Sequence, residues 1–227
     1  MEFNLEKIWH TMSIPVKGTA IFMVLLSIYS IYVIVERFLT FSAASKQSIS
    51  YVLALREHLA KRRVDDALKA AQLHSKSPVA KVVEAGLKAL KQGREALQNE
   101  GPEDVGHFDI IDSVNRAIDR VKERETSNLR KGLGGLGSTA TVTPFVGLFG
   151  TVLGIINAFG LLKNGGSIDT VGPAIAEALV STAFGLLIAI PAAMFFNYFT
   201  TRVEHIVVDM NDVASEFIDF VLKEGRA

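Results

Sequence analysis

Three long stretches of this chain carry no charged residue: Gly18–Val35, Gly132–Leu162 and Ala178–Thr201, of 18, 31 and 24 residues. A bilayer core takes about 20 mostly apolar residues as a helix. The first stretch rises about 27 Å as a helix, just enough to cross. The clustering argues against a purely soluble domain and for three spans, Thr19–Val35, one within Leu136–Leu162, and about Pro173 to Phe199. The first span is not expected to be a cleaved leader. Glu2, Glu6 and Trp9 precede it where a leader would be basic, and Val35-Glu36-Arg37-Phe38 follows it instead of a small-residue cleavage site.

Composition narrows the function. Lys plus Arg and Asp plus Glu both number 24, so the basic excess of a nucleic-acid binder is missing. With no cysteine, disulfides and thiolate metal sites are excluded. His10, His58, His74, His107 and His205 show no ligand spacing, and no metal or cofactor is expected. Gly132, Gly134, Gly135 and Gly137 resemble a glycine-rich loop, but no P-loop Lys-Ser/Thr follows.

Between the first two spans the chain turns polar. Ser50–Lys61 and Val64–Leu73 read as a short antiparallel helix pair and Pro78–Gln92 as a further helix. The breakers in Asn99–His107 predict a loop. Ile111, Val114, Ile118 and Val121 recur at helical spacing, and that amphipathic helix is expected to run straight into the second span. Pro173 is placed to start the third helix. Beyond it Val203, Ile206, Met210, Val213, Phe217 and Val221 extend an amphipathic tail. The expected order is an external segment 1–18, spans at 19–36, 132–162 and 173–200, a helical region 37–131, an external turn 163–172 and a C-terminal helix 201–227. Lys and Arg divide 21 to 3 between the side holding 36–131 and the tail and the other side. The positive-inside rule therefore puts the large region and the C-terminus in the cytoplasm and the N-terminus outside.

The second and third spans are patterned beyond lipid anchoring. Thr143, Gly147, Thr151, Gly154 and Ala158 share one helix side, while Phe145, Phe149, Val152, Ile156 and Phe159 share the other. Ala178, Thr182, Gly185, Ala189 and Ala192 form a second small stripe, with Phe184, Leu187, Ile188, Phe195 and Phe196 mostly elsewhere. Such stripes serve close helix packing, or with their hydroxyls they line a polar path. Glu177 is the one acidic residue placed inside a span, about one turn from its end. It either works in a wet interior or sits hydrated at the headgroups. Threonine hydroxyls do not titrate and often bond back to their own helix. Pro144 and Pro191 can kink their helices and free carbonyls.

The runs Thr143-Pro-Phe-Val-Gly-Leu-Phe-Gly-Thr151-Val-Leu-Gly-Ile and Pro173-Ala-Ile-Ala-Glu177-Ala-Leu-Val-Ser-Thr182-Ala-Phe-Gly-Leu, with Ile190-Pro191, resemble the MotA/TolQ/ExbB proton-channel family, closest to its TolQ/ExbB branch. The resemblance implies an all-α inner-membrane protein whose three transmembrane helices extend into a cytoplasmic helical domain. It implies homopentamers around a pore lined by the second and third spans. Two copies of a single-span partner of the ExbD, TolR or MotB type would sit there, each with a membrane aspartate. Thr151 and Thr182 would face that aspartate, and Glu177, Thr143 and Ser181 would join the ion path. Gly147, Gly150, Gly154, Gly185, Pro144 and Pro191 would shape the helices. Function would then be that of a non-enzymatic stator subunit in a proton-driven motor working on the envelope. Moving one charge through 100 mV yields about 2.3 kcal/mol for such work. Outer-membrane transport, envelope maintenance and gliding all stand as outputs, with protons favoured over sodium. The alternative is a non-conducting membrane scaffold. A membrane enzyme or carrier fits poorly, since no catalytic constellation or second half with matching broken helices is visible.

Overall fold

The computed structural model describes residues 12–99, 110–163, 165 and 167–224, and these form an all-α membrane protein. Its helices are α1 (Ile14–Ala60), α2 (Val64–Leu73), α3 (Pro78–Asn99), α4 (Ile110–Arg130), α5 (Leu133–Lys163) and α6 (Ile168–Glu224). Apolar segments of α1, α5 and α6 are each long enough to cross a bilayer. The chain divides into two compact units. One comprises Met1–Glu36 and Gly132–Phe199, the other, here called the head, Arg37–Lys131 and Thr200–Ala227.

Several helix ends differ from the sequence reading, each for a local reason. Glu36 and Arg37 end the apolar run but not the helix. Residues 38–60 hold neither glycine nor proline, so α1 continues to Ala60 and absorbs the expected Ser50–Lys61 helix. The passage from α4 into α5 is interrupted at Lys131–Gly132, where Gly132 takes φ +82°, a conformation glycine adopts without a Cβ penalty. The third apolar helix starts at Ile168, not at Pro173. The Val171 N–H bonds to the Ser167 carbonyl at 3.1 Å and closes a turn ahead of the proline. Pro173 thus lies inside α6, and the expected turn 163–172 shrinks to the few residues between Lys163 and Ile168. Helix α3 runs past Gln92 to Asn99. Of the expected Asn99–His107 loop, residues 100–107 lie outside the described residues.

In the membrane unit the apolar surface is divided by face. Phe145, Phe149, Val152, Ile156 and Phe159 of α5 are all exposed, whereas Thr143, Gly147, Thr151, Gly154 and Ala158 are buried. On α6, Ala178, Gly185, Ala189 and Ala192 are buried, and Ile188 joins them instead of facing outward.

The head buries an apolar core of its own. Val79, Val82, Val83 and Leu87 of α3, Val114 and Ile118 of α4 and Met210 and Phe217 of α6 are all enclosed. Gly86 is required where these helices meet, because a Cβ there would lie 2.6 Å from the Phe217 ring. The tail residues expected at Val203, Ile206, Met210, Val213, Phe217 and Val221 are all buried. Ser77 precedes Pro78, the first residue of α3, and its hydroxyl accepts from the Ala80 N–H at 3.0 Å, the usual way to start a helix. Glu125 is buried and meets Lys81 Nζ at 2.8 Å, with Asn128 Nδ2 donating to its other oxygen at 3.2 Å. Arg37 is buried too. Its guanidinium donates to the carbonyls of Asn128 and Leu129 at 3.1 and 3.3 Å, placing a cation on the last turn of α4, where the helix dipole favours one.

Candidate functional site

Glycine sets the geometry at the crossing of α5 and α6. A Cβ on Gly147 would stand 2.9 Å from the Ser181 carbonyl and 3.1 Å from Thr182 Cα. One on Gly185 would stand 2.9 Å from the Thr143 carbonyl. A Cβ on Gly154 would meet the Ala178 methyl at 2.6 Å. The two backbones therefore touch, which only glycine permits. Gly150 does the same for side chains. A Cβ there would overlap the Ser181 hydroxyl and approach Thr19 Oγ1 of α1 to 3.0 Å.

This approach brings Thr151 and Thr182 together. Their hydroxyls hydrogen-bond to each other. Thr151 Oγ1 also lies 3.0 Å from the Ala178 carbonyl and 3.2 Å from the Gly147 carbonyl. Thr151 is buried and Thr182 is partly exposed, so Thr182 is the accessible end of the pair.

The hydroxyl chemistry follows from counting protons. Each hydroxyl donates once and can accept twice. In one sense Thr182 donates to Thr151 and Thr151 donates to a carbonyl. The Thr182 oxygen then accepts a bond from outside, as from a protonated carboxyl group. In the other sense Thr151 donates to Thr182, whose own O–H turns outward to a carboxylate. The pair can thus hydrogen-bond a carboxyl group in either protonation state, although neither hydroxyl stores a proton itself.

The other expected residues are placed as follows. Thr143 is fully buried, and its hydroxyl donates to the Thr139 carbonyl at 2.6 Å. Thr139 and Thr141 bond back to the Gly135 and Gly137 carbonyls at 3.0 and 2.8 Å. Ser181 is only 4% exposed, and its hydroxyl finds no partner among the described residues. Glu177 lies in the third turn of α6 and is partly exposed. Pro144 and Pro191 are both inside helices, where each removes an amide donor and frees the carbonyl four residues earlier. Thr19 and Ser30 of α1 are buried hydroxyls that the sequence reading passed over. Thr19 donates to the Val16 carbonyl at 2.8 Å. A hydroxyl inside an apolar run was their available signal, but the approach of Thr19 to Gly150 of α5 depends on helix register. No group of three or more potential metal ligands occurs among the described residues.

An all-α protein with three membrane-spanning helices, two of them crossing through glycines beside paired threonine hydroxyls, falls in the class of multi-pass membrane proteins. Residues 74–212 match the model of the MotA/TolQ/ExbB proton channel family, and the chain belongs to that family. It is 38% identical over 118 residues to the Tol-Pal system protein TolQ of Haemophilus influenzae, covering 51% of this chain and 52% of that one. To the biopolymer transport protein ExbB of Xanthomonas campestris pv. campestris it is 38% identical over 117 residues, covering 50% and 46%. These alignments span about half the length of each relative. A longer one, to the ExbB of Neisseria meningitidis, is 27% identical over 221 residues and covers 94% of both chains. These likenesses join this chain to the TolQ/ExbB branch.

Proposed function

We propose that this chain is the channel-forming stator subunit of a proton-driven motor acting on the cell envelope. The observation that carries the reading is the Thr151–Thr182 pair, which joins the two spans and offers a carboxyl group a partner in both of its protonation states. Neither hydroxyl titrates, so the reading needs a titrating group that engages the pair. In this reading it is a membrane aspartate on a single-span partner of the ExbD or TolR type. Two such spans sit inside a pentamer of this chain, with α5 and α6 around the pore. Glu177 stands at the external mouth, and Ser181 and Thr143 flank the path. The head is cytoplasmic, and the N-terminus and the α5–α6 turn are external. The names of the relatives, a Tol-Pal system protein and biopolymer transport proteins, support envelope maintenance or outer-membrane transport as outputs, with gliding a third.

The glycine contacts at Gly147 and Gly185 also favour a second reading, a packed membrane scaffold that does not conduct. The two readings part over Thr151→Val with Thr182→Val. Valine keeps the volume and removes both hydroxyls. The motor reading expects the variant to assemble with its partner and lose all gradient-driven work in cells. Full activity in an assembled double variant would refute it.

A further inference from the structure

The head carries an acidic stripe on one helix and a basic-rimmed groove between two others. Between Arg202 and Lys223, α6 carries Glu204, Asp209, Asp212, Glu216 and Asp219 and no lysine or arginine. The last four recur at spacings of three and four and are exposed, opposite the buried face. Like charges at this spacing repel by about 0.2–0.5 kcal/mol per pair, so an isolated head keeps the stripe at a cost. Glu216 meets Arg56 at 3.0 Å, whereas Asp209, Asp212 and Asp219 meet no cation among the described residues.

The opposite charge lines a groove of about 570 Å³ between α3 and α4. Its floor includes the small residues Ala89 and Ala117, and its rim carries Lys88, Arg120 and Arg124. Arg116, Arg120 and Arg124 recur every fourth residue, a stripe of about 12 Å. Asp112 continues the same row toward the N-terminus of α4, and Asp119 and Glu123 border it beside Arg116, so Arg120 and Arg124 are the cations of α4 that line the groove. Asp112 binds Arg116, and Lys88 binds Glu84 at 2.8 Å. Asp209 to Asp219 spans about 15 Å of α6, long enough to reach along the groove's cations, to which its charge is opposite.

We propose that the acidic face of α6 in one copy of this chain docks on the α3–α4 groove of the neighbouring copy. The proposal rests on the homo-oligomer of the preceding reading and adds which surfaces meet. The two faces differ, so the contact is head-to-tail, the kind that closes into a ring. Solvent-exposed pairs of this sort give register and orientation more than affinity.

The natural absence of cysteine makes the test direct. Gln92→Cys and Ser215→Cys chains, differently tagged, are co-expressed and oxidised in membranes. The proposal expects mixed disulfide dimers. Arg120→Glu with Arg124→Glu on the Gln92→Cys chain should cut their yield severalfold, and Arg120→Gln with Arg124→Gln by less. Adding Asp212→Arg with Asp219→Arg to the Ser215→Cys chain should restore it. Absence of mixed dimers, insensitivity to charge, lack of rescue, or capture of Ser215→Cys by a different protein would each overturn the docking. The mass of the unmodified protein in detergent checks the oligomer separately. A monomer would overturn the oligomeric reading itself, whereas an oligomer with charge-insensitive crosslinks overturns only the docking.

Discussion

At the residue scale, the site depends on atoms that are missing. Gly147 and Gly185 face backbone on the opposing helix, which cannot move aside as a side-chain tip can. Gly185→Ala should therefore lower stability by about 1–3 kcal/mol, the usual cost of overpacking, read as an earlier thermal transition in detergent. Gly134, which has open space where a Cβ would go, serves as the control and should tolerate alanine. Tyr51 presents a separate case in the head. It is fully buried, its Oη has no partner among the described residues, and its ring packs 5.9 Å from that of His74. Burial, and secondarily the charge of Glu84, push its phenol far above the ordinary tyrosine range. The folded chain then keeps this proton where an unfolded chain has lost it. Stability is full below the ordinary tyrosine pKa of about 10 and declines as pH rises past it. Tyr51→Phe should melt at the same or a higher temperature near neutral pH and lose less above pH 10, as thermal scans across pH would show. The small-residue stripes could be read from spacing alone. The Thr151–Thr182 bond could not, because it depends on the register of two helices whose closeness the glycines only permit.

At the scale of elements, the head relies on buried charge. Lys81→Met would leave Glu125 enclosed with no cation. The expected loss is up to about 3 kcal/mol, below that of a fully buried pair because Lys81 keeps part of its surface in water. Lys81→Met with Glu125→Leu should recover most of it, so the comparison of the two melting curves is the check. Gly132→Ala should cost about 1 kcal/mol or more, because φ +82° opposes a side chain. The amphipathic helices were legible because periodicity marks a buried face. Their ends were less so. A charge pair such as Glu36-Arg37 ends an apolar run but is compatible with a helix, so α1 continued where hydropathy stopped. At Gly132 the reverse holds: the helical period on either side hid the break, and the run of glycines after Lys131 did not mark which residue would take the left-handed turn. Ser167 opening α6 ahead of Pro173 was equally hidden, because proline announces itself more loudly than a serine carbonyl.

For the whole molecule, the three uncharged stretches dictated the class before any coordinates, since hydrocarbon accepts little else of that length. The head core and the tail that completes it followed from period. The threonine hydroxyls themselves do not titrate, and the proposed function therefore has charge cross only when a partner's carboxyl group engages Thr182. The most direct measurement is proton uptake by vesicles holding this chain together with its single-span partner under an imposed potential. The account expects Thr151→Val with Thr182→Val to assemble normally and lose at least 90% of the uptake, about 1.4 kcal/mol or more at the barrier, while Thr182→Ser, which keeps the hydroxyl, conducts. Undiminished uptake in the assembled double valine variant would contradict it.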